Sequence, residues 1–115
     1  MIGPKDVRVP MELNSLQQAP ELMNAFYDAM KAAGLDAAFP KTRGDWIEDD
    51  HLPLIKAGIP TIDLIDFDYK PWHTLGDTVD KCSADSLEKI GKGLEAWLLK
   101  SPPFKPRAAS NGGQR

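Results

Sequence analysis

Apolar residues recur at two different periods along the chain, and the change of period marks its elements. From Pro20 onward, Leu22, Phe26, Ala29 or Met30, and Ala33 return at helical spacing. Pro20 suits a first helical turn, Glu21 suits the positive end of the helix, and Gly34 is a natural stop. LPLIKAG (52–58) reads as a short helix with Pro53 in its first turn and Gly58 at its end. IPTIDLI (59–65) is the best strand. It is β-branched and continuous, interrupted only by Asp63, as suits a strand covered on both faces. SADSLEKIGKGLEAWLLK reads as a closing helix capped by Ser83, with Leu87, Ile90, Leu94, Trp97 and Leu98 as its apolar stripe. Gly91 and Gly93 interrupt that helix at about 1 kcal/mol each relative to alanine, unless close packing uses them.

Between these elements the chain reads as connection. MELNSLQQAP is a polar loop, residues 35–49 a long loop with Pro40 and Gly44, and residues 66–82 another. Residues 1–10 are short, apolar and β-leaning at Val7 and Val9, and Pro4 and Pro10 break them up. The order predicts an α/β fold with helices laid on a sheet. One confident strand is not a sheet, however. A strand that needs both faces and both edges covered points to a piece of a larger α/β domain or to an obligate assembly.

Composition narrows this further. A chain of 115 residues is at most one domain. The last fifteen residues, SPPFKPRAASNGGQR, have the make-up of a disordered tail (101–115), leaving residues 1–100 for the fold. No apolar run reaches the ~20 residues of a membrane span, and MIGPKDVRVP lacks the charged and apolar regions of a signal peptide. A net charge of −3 with no clustered basic face argues against nucleic acid. The acids are concentrated: Asp45, Glu48, Asp49, Asp50, Asp63, Asp66, Asp68, Asp77 and Asp80 face only Lys56 and Lys70. Such a segment needs solvent, partners or cations. Cys82 is the only cysteine, so no internal disulfide forms, and it reads as a small buried hydrophobe.

Two places carry candidate chemistry. EDDH (48–51) sets three carboxylates before a histidine where a short helix starts. Asp49 or Asp50 capping free backbone N–H groups explains this without catalysis; an acid network at a cationic centre explains it with catalysis. In DYKPWHTLGD, His73 lies in the loop beyond the predicted strand, where open α/β sheets bind ligands. It reads either as a hydrogen-bonded loop histidine or as a zinc ligand with Trp72 as an apolar wall. Catalytic zinc usually takes three protein ligands. The others must then be Asp, Glu or His51 of this chain, or lie outside it.

Taken as a whole, EDDHLPLIKAGIPTIDLIDFDYKPWHTLGDTVDKCSADSL (48–87) resembles the C-terminal part of the zinc-dependent exopeptidase family that includes bacterial aminopeptidases and glutaminyl-peptide cyclotransferases. The matching features are the acid–Asp–His step, the AGIP turn into a strand, WHT, and the DTxDK loop before a long helix. The resemblance implies a three-layer α/β/α domain, here as a C-terminal fragment with a partial sheet, acting on peptide N-termini with zinc as cofactor. It implies that His73 ligates zinc, that Trp72 lines the substrate pocket, and that Asp49 joins a catalytic hydrogen-bond network. Asp50 and His51 match the motif in supporting or structural roles. The family's upstream Asp ligand and Glu pair would precede Met1, so the chain by itself is expected to be inactive and to need the N-terminal half of the domain. Relatives are often exported, which implies a periplasmic or secreted protein.

Overall fold

A computed structural model describes the chain from Met1 to Lys100. Four α-helices are present: α1 (Leu13–Gln18), α2 (Pro20–Ala32), α3 (His51–Lys56) and α4 (Ala84–Lys100), with a 3₁₀ turn at Val79–Lys81. The tail expected over 101–115 lies outside the described residues. Among the described residues no helix is long and apolar enough to cross a membrane.

α2 is the centre of the molecule. Its buried face is Met23, Phe26, Tyr27 and Met30; Phe26 and Met30 belong to the predicted stripe, while Leu22 is only half-buried and Ala33 is exposed. Gly34 ends it in the left-handed region (φ 73°), as its position predicts. This face packs on Val7, Val9, Met11, Ala38, Phe39 and Ile90. Phe26 meets the edges of Tyr27, Phe39 and Trp97 at ring separations of 5.7, 5.6 and 5.6 Å, a geometry that matches ring quadrupoles. The Tyr27 hydroxyl sits 2.8 Å from both the Val9 and Pro10 carbonyls. Burial, with the Asp63 charge adding to it, pushes that phenol well above its ordinary range.

α4 closes the core, but not with the stripe of leucines. Its inward residues are Ser86, Ile90, Gly93 and, in part, Trp97, whereas Leu87, Leu94 and Leu98 are exposed. The reason is Gly93. A Cβ there would lie 2.7 Å from Met30 Sδ and 3.0 Å from Phe39 Cε2, so the α4 backbone itself touches the core. A Cβ at Gly91 meets nothing within 4 Å. Ser83 does cap the helix, its Oγ accepting from Ser86 N at 3.3 Å. The Ser86 hydroxyl donates to the Pro4 carbonyl at 2.6 Å and ties the helix to the N-terminal segment.

The predicted strand is the main correction. Among the described residues there is no sheet, only isolated bridges between Pro4 and Cys82 and between Met11 and Arg43. Residues 59–65 carry no strand assignment. Ile62 and Leu64 pack on the core and Ile65 is buried, while Ile59 is half exposed. A strand is defined by a partner's N–H and C=O groups, and no neighbour supplies them here. MELNSLQQAP is not a loop either, since it contains α1. Cys82 is exposed rather than buried.

The two glycines of α4 give opposite expectations. Gly93→Ala overpacks the core and lowers unfolding stability by about 1–3 kcal/mol. Gly91→Ala raises it by about 0.5–1 kcal/mol, because it only relieves helix entropy. Urea unfolding of the two variants beside the wild type checks both signs.

Candidate active site

The acidic step and the loop histidine are positioned by separate devices. The first begins with Glu12, the N-cap of α1, which is 2% exposed. Its carboxylate accepts from the backbone N–H of Asn14 (2.9 Å), Ser15 (2.7 Å) and Ile47 (2.9 Å), and from Ser15 Oγ at 2.6 Å. Burial raises its pKa, but these donors together outweigh burial and leave the carboxyl below its ordinary value. Asn14 Nδ2 donates to the Ile47 carbonyl at 2.9 Å, so Ile47 is held by both its N–H and its C=O. The exposed turn Glu48–Asp50 starts from that fixed point.

Within the turn, Asp49 Oδ1 accepts the N–H of Asp50 at 2.8 Å, while Leu52 N donates to the Asp49 carbonyl at 3.1 Å. Asp49 therefore holds only its neighbour's N–H, and no side chain caps α3. Asp50 occupies the N-cap position of α3 without any side-chain cap bond. Both carboxylates face solvent. His51 points the other way. It is 5% exposed, with Nε2 3.2 Å from Glu12 Oε2 and Nδ1 3.8 Å from Asp63 Oδ2. Burial raises the Asp63 carboxyl above its ordinary value; His51 opposes this, and the Asp49 and Glu12 charges add to it.

The second device is the loop after Asp66. Asp66 is itself buried, its Oδ2 accepting from Arg8 N (3.0 Å) and its N–H donating to the Met1 carbonyl (2.8 Å). Beyond it Trp72 N donates to the Tyr69 carbonyl, and Thr74 donates to the Pro71 carbonyl through N and Oγ1. Tyr69 donates to Asp77 Oδ1 at 2.7 Å; its phenol is raised to about 12 by burial, the hydrogen bond and the nearby acids. At the tip, Trp72 and His73 are exposed and stacked, with centroids 3.9 Å apart and planes 20° from parallel. Phe67 leans on Trp72 at 5.0 Å. His73 has φ 54°, a left-handed conformation that is uncommon for a residue with a Cβ.

Among the described residues no hydrogen bond or ion pair joins Asp49 to Trp72 or His73. Nor does any group of three or more His, Cys, Asp or Glu side chains there converge as a metal would require. His51 is thus no co-ligand of His73; it is buried between Glu12 and Asp63. The sequence reading found Asp49, Asp50, His51, Trp72 and His73 but missed Glu12 and Ser15. The available signal was a glutamate immediately before LNSLQQ, at a helix start.

The profile of peptidase family M28 matches residues 1–98, and the chain belongs to that family. It is similar to a leucine aminopeptidase precursor from Bacteroides thetaiotaomicron, with TM-score 0.83 and 31% identity over 89% of this chain and 36% of that one. A Zn-dependent exopeptidase from Parabacteroides distasonis gives TM-score 0.81 and 25% identity over 89% of this chain and 37% of that one. The glutaminyl-peptide cyclotransferase of Bos taurus is 30% identical over 57 residues, 49% of this chain and 16% of that protein. The chain thus spans little more than a third of the solved relatives. It is related to aminopeptidases and to glutaminyl cyclases alike.

Glu12 sets a pH dependence whose sign follows from its lowered pKa. Its contribution is complete above the unfolded value of 4.5 and is lost as pH falls through the folded value. Glu12→Gln is expected to cost about 1–3 kcal/mol at pH 7. The gap to wild type should narrow below pH 4.5 in urea unfolding run across the acid range.

Proposed function

We propose that residues 1–100 form the C-terminal part of a zinc-dependent exopeptidase of the aminopeptidase type, acting on peptide N-termini. The observation that carries this reading is the exposed, left-handed His73 stacked on Trp72. Backbone conformations of this kind persist at sites where the surrounding structure over-determines them. In this reading His73 is one zinc ligand and Trp72 is a wall for the substrate's first side chain. Asp49, fixed by the Ile47 tether, holds hydrogen bonds to the substrate's reacting end. Asp50 and His51 support that turn. Bound zinc supplies Lewis-acid polarisation of the carbonyl under attack. The other ligands and the general base come from the upstream part of the domain.

The same half explains the unfinished surface. Leu54, Ile59, Leu75 and Val79 are exposed apolar residues. In the complete α/β/α domain the unpaired segment 59–65 becomes an inner strand. An exported location, periplasmic or secreted, belongs to the same proposal.

A second reading is a glutaminyl-peptide cyclotransferase, in which the substrate's own α-amine attacks its γ-carboxamide. The bovine relative, itself a glutaminyl-peptide cyclotransferase, supports it. A third is a catalytically inactive fragment, favoured by the lack of a converging metal group among the described residues.

Zinc retained after dialysis against a weak chelator tests the split site. Only a version extended upstream should keep about one zinc per chain, and His73→Ala should abolish it. Tight stoichiometric zinc on the 115-residue chain alone overturns the split. Turnover of an aminoacyl anilide or of an N-terminal glutaminyl peptide by the extended protein then decides between peptidase and cyclase, and turnover of neither leaves the inactive reading. In whichever assay responds, Asp49→Asn should lower kcat by about 10²–10⁴ with folding intact.

A further inference from the structure

Three polar atoms are buried without an aligned hydrogen bond among the described residues: His51 Nδ1, His51 Nε2 and Asp63 Oδ2. They are next to one another. His51 lies between two buried carboxylates, Glu12 Oε2 at 3.2 Å from Nε2 and Asp63 Oδ2 at 3.8 Å from Nδ1. The His51 side chain is 3% exposed, that of Glu12 1% and that of Asp63 17%. Buried polar atoms are nearly always partnered, and an exception calls for a specific cause.

Proton count supplies one. A neutral imidazole carries one N–H and one lone pair. With both carboxylates ionised, that lone pair would face a carboxylate oxygen, and two negative charges would be buried together. One additional proton removes both conflicts. On Nδ1 it makes an imidazolium between two carboxylates. The group then carries one net negative charge.

We propose that Glu12, His51 and Asp63 hold one shared proton at neutral pH, and that this protonated triad is a positioning device for the Ile47–Asp50 turn. Glu12 joins the two parts, because the carboxylate facing His51 Nε2 also accepts the Ile47 N–H. Ser15 fixes the far side, its Oγ donating to Glu12 and accepting the N–H of Asp63 at 2.9 Å. The other charged or titratable groups felt by the triad are the Asp49 carboxylate, the N-terminal ammonium of Met1 and the Tyr27 phenol. The donors to Glu12 leave its carboxyl below the ordinary value. The inference stands on this chain alone and does not depend on whether the domain is a peptidase or a cyclase.

Long-range ¹H–¹⁵N spectra of the imidazoles in the 115-residue chain test it. The chain has two histidines, and His73→Asn assigns their signals. His51 should show both ring nitrogens protonated throughout about pH 5–8. In Asp63→Asn, His51 should become a neutral tautomer with its proton on Nε2, and the Ile47–Asp50 amides should exchange at least tenfold faster. A merely structural contact would leave the protonation state of His51 unchanged in that variant, so an unchanged spectrum overturns the proposal. A wild-type His51 that carries only one ring proton within that range overturns it as well.

Discussion

The buried carboxylate of Glu12 is the constraint on which the functional end of the molecule depends. A charge taken from water must recover its solvation from fixed donors, and Glu12 takes its donors from three places. Asn14 N and Ser15 N start α1, the Ser15 hydroxyl adds a side-chain donor, and Ile47 N fixes the acidic turn, while His51 of α3 lies against the same carboxylate. One side chain therefore sets a helix start, a loop anchor and the seat of a histidine. Its burial is tolerated because those elements converge, and they converge because it is there.

The hydrophobic core is a separate structure with a different logic. It is built on α2 and closed by the α4 backbone at Gly93, which brings Met30 and Phe39 into direct contact with a helix that has no side chain at that point. This leaves the larger residues of α4 outside. Residues 61–65 lie against that core without strand pairing.

Position in the fold also separates the two histidines, which look alike in the sequence. His51 is sealed between carboxylates, whereas His73 is exposed at a loop tip on the face of Trp72. Each sits beside acids and near a proline. Only the direction of the side chain, set by α3 in one case and by the left-handed turn in the other, gives them different chemistry.

Local rules made α2, α3 and the start of α4 legible, because Pro20, Gly34, Gly58 and Ser83 act within a turn of their own position. The ordered motifs EDDH, AGIP and WHT made the family legible, because their chemistry is written in residue type and order. The sequence could not show that Ile59–Ile65 lacks strand partners, since pairing belongs to the neighbours rather than to the strand. It could not phase α4, where a glycine rather than a leucine meets the core. Nor could it reveal Glu12, Ser15, His51 and Asp63 as one cluster. Those residues are spread over 51 positions of chain, and only the tertiary structure brings their charges within reach of a single proton.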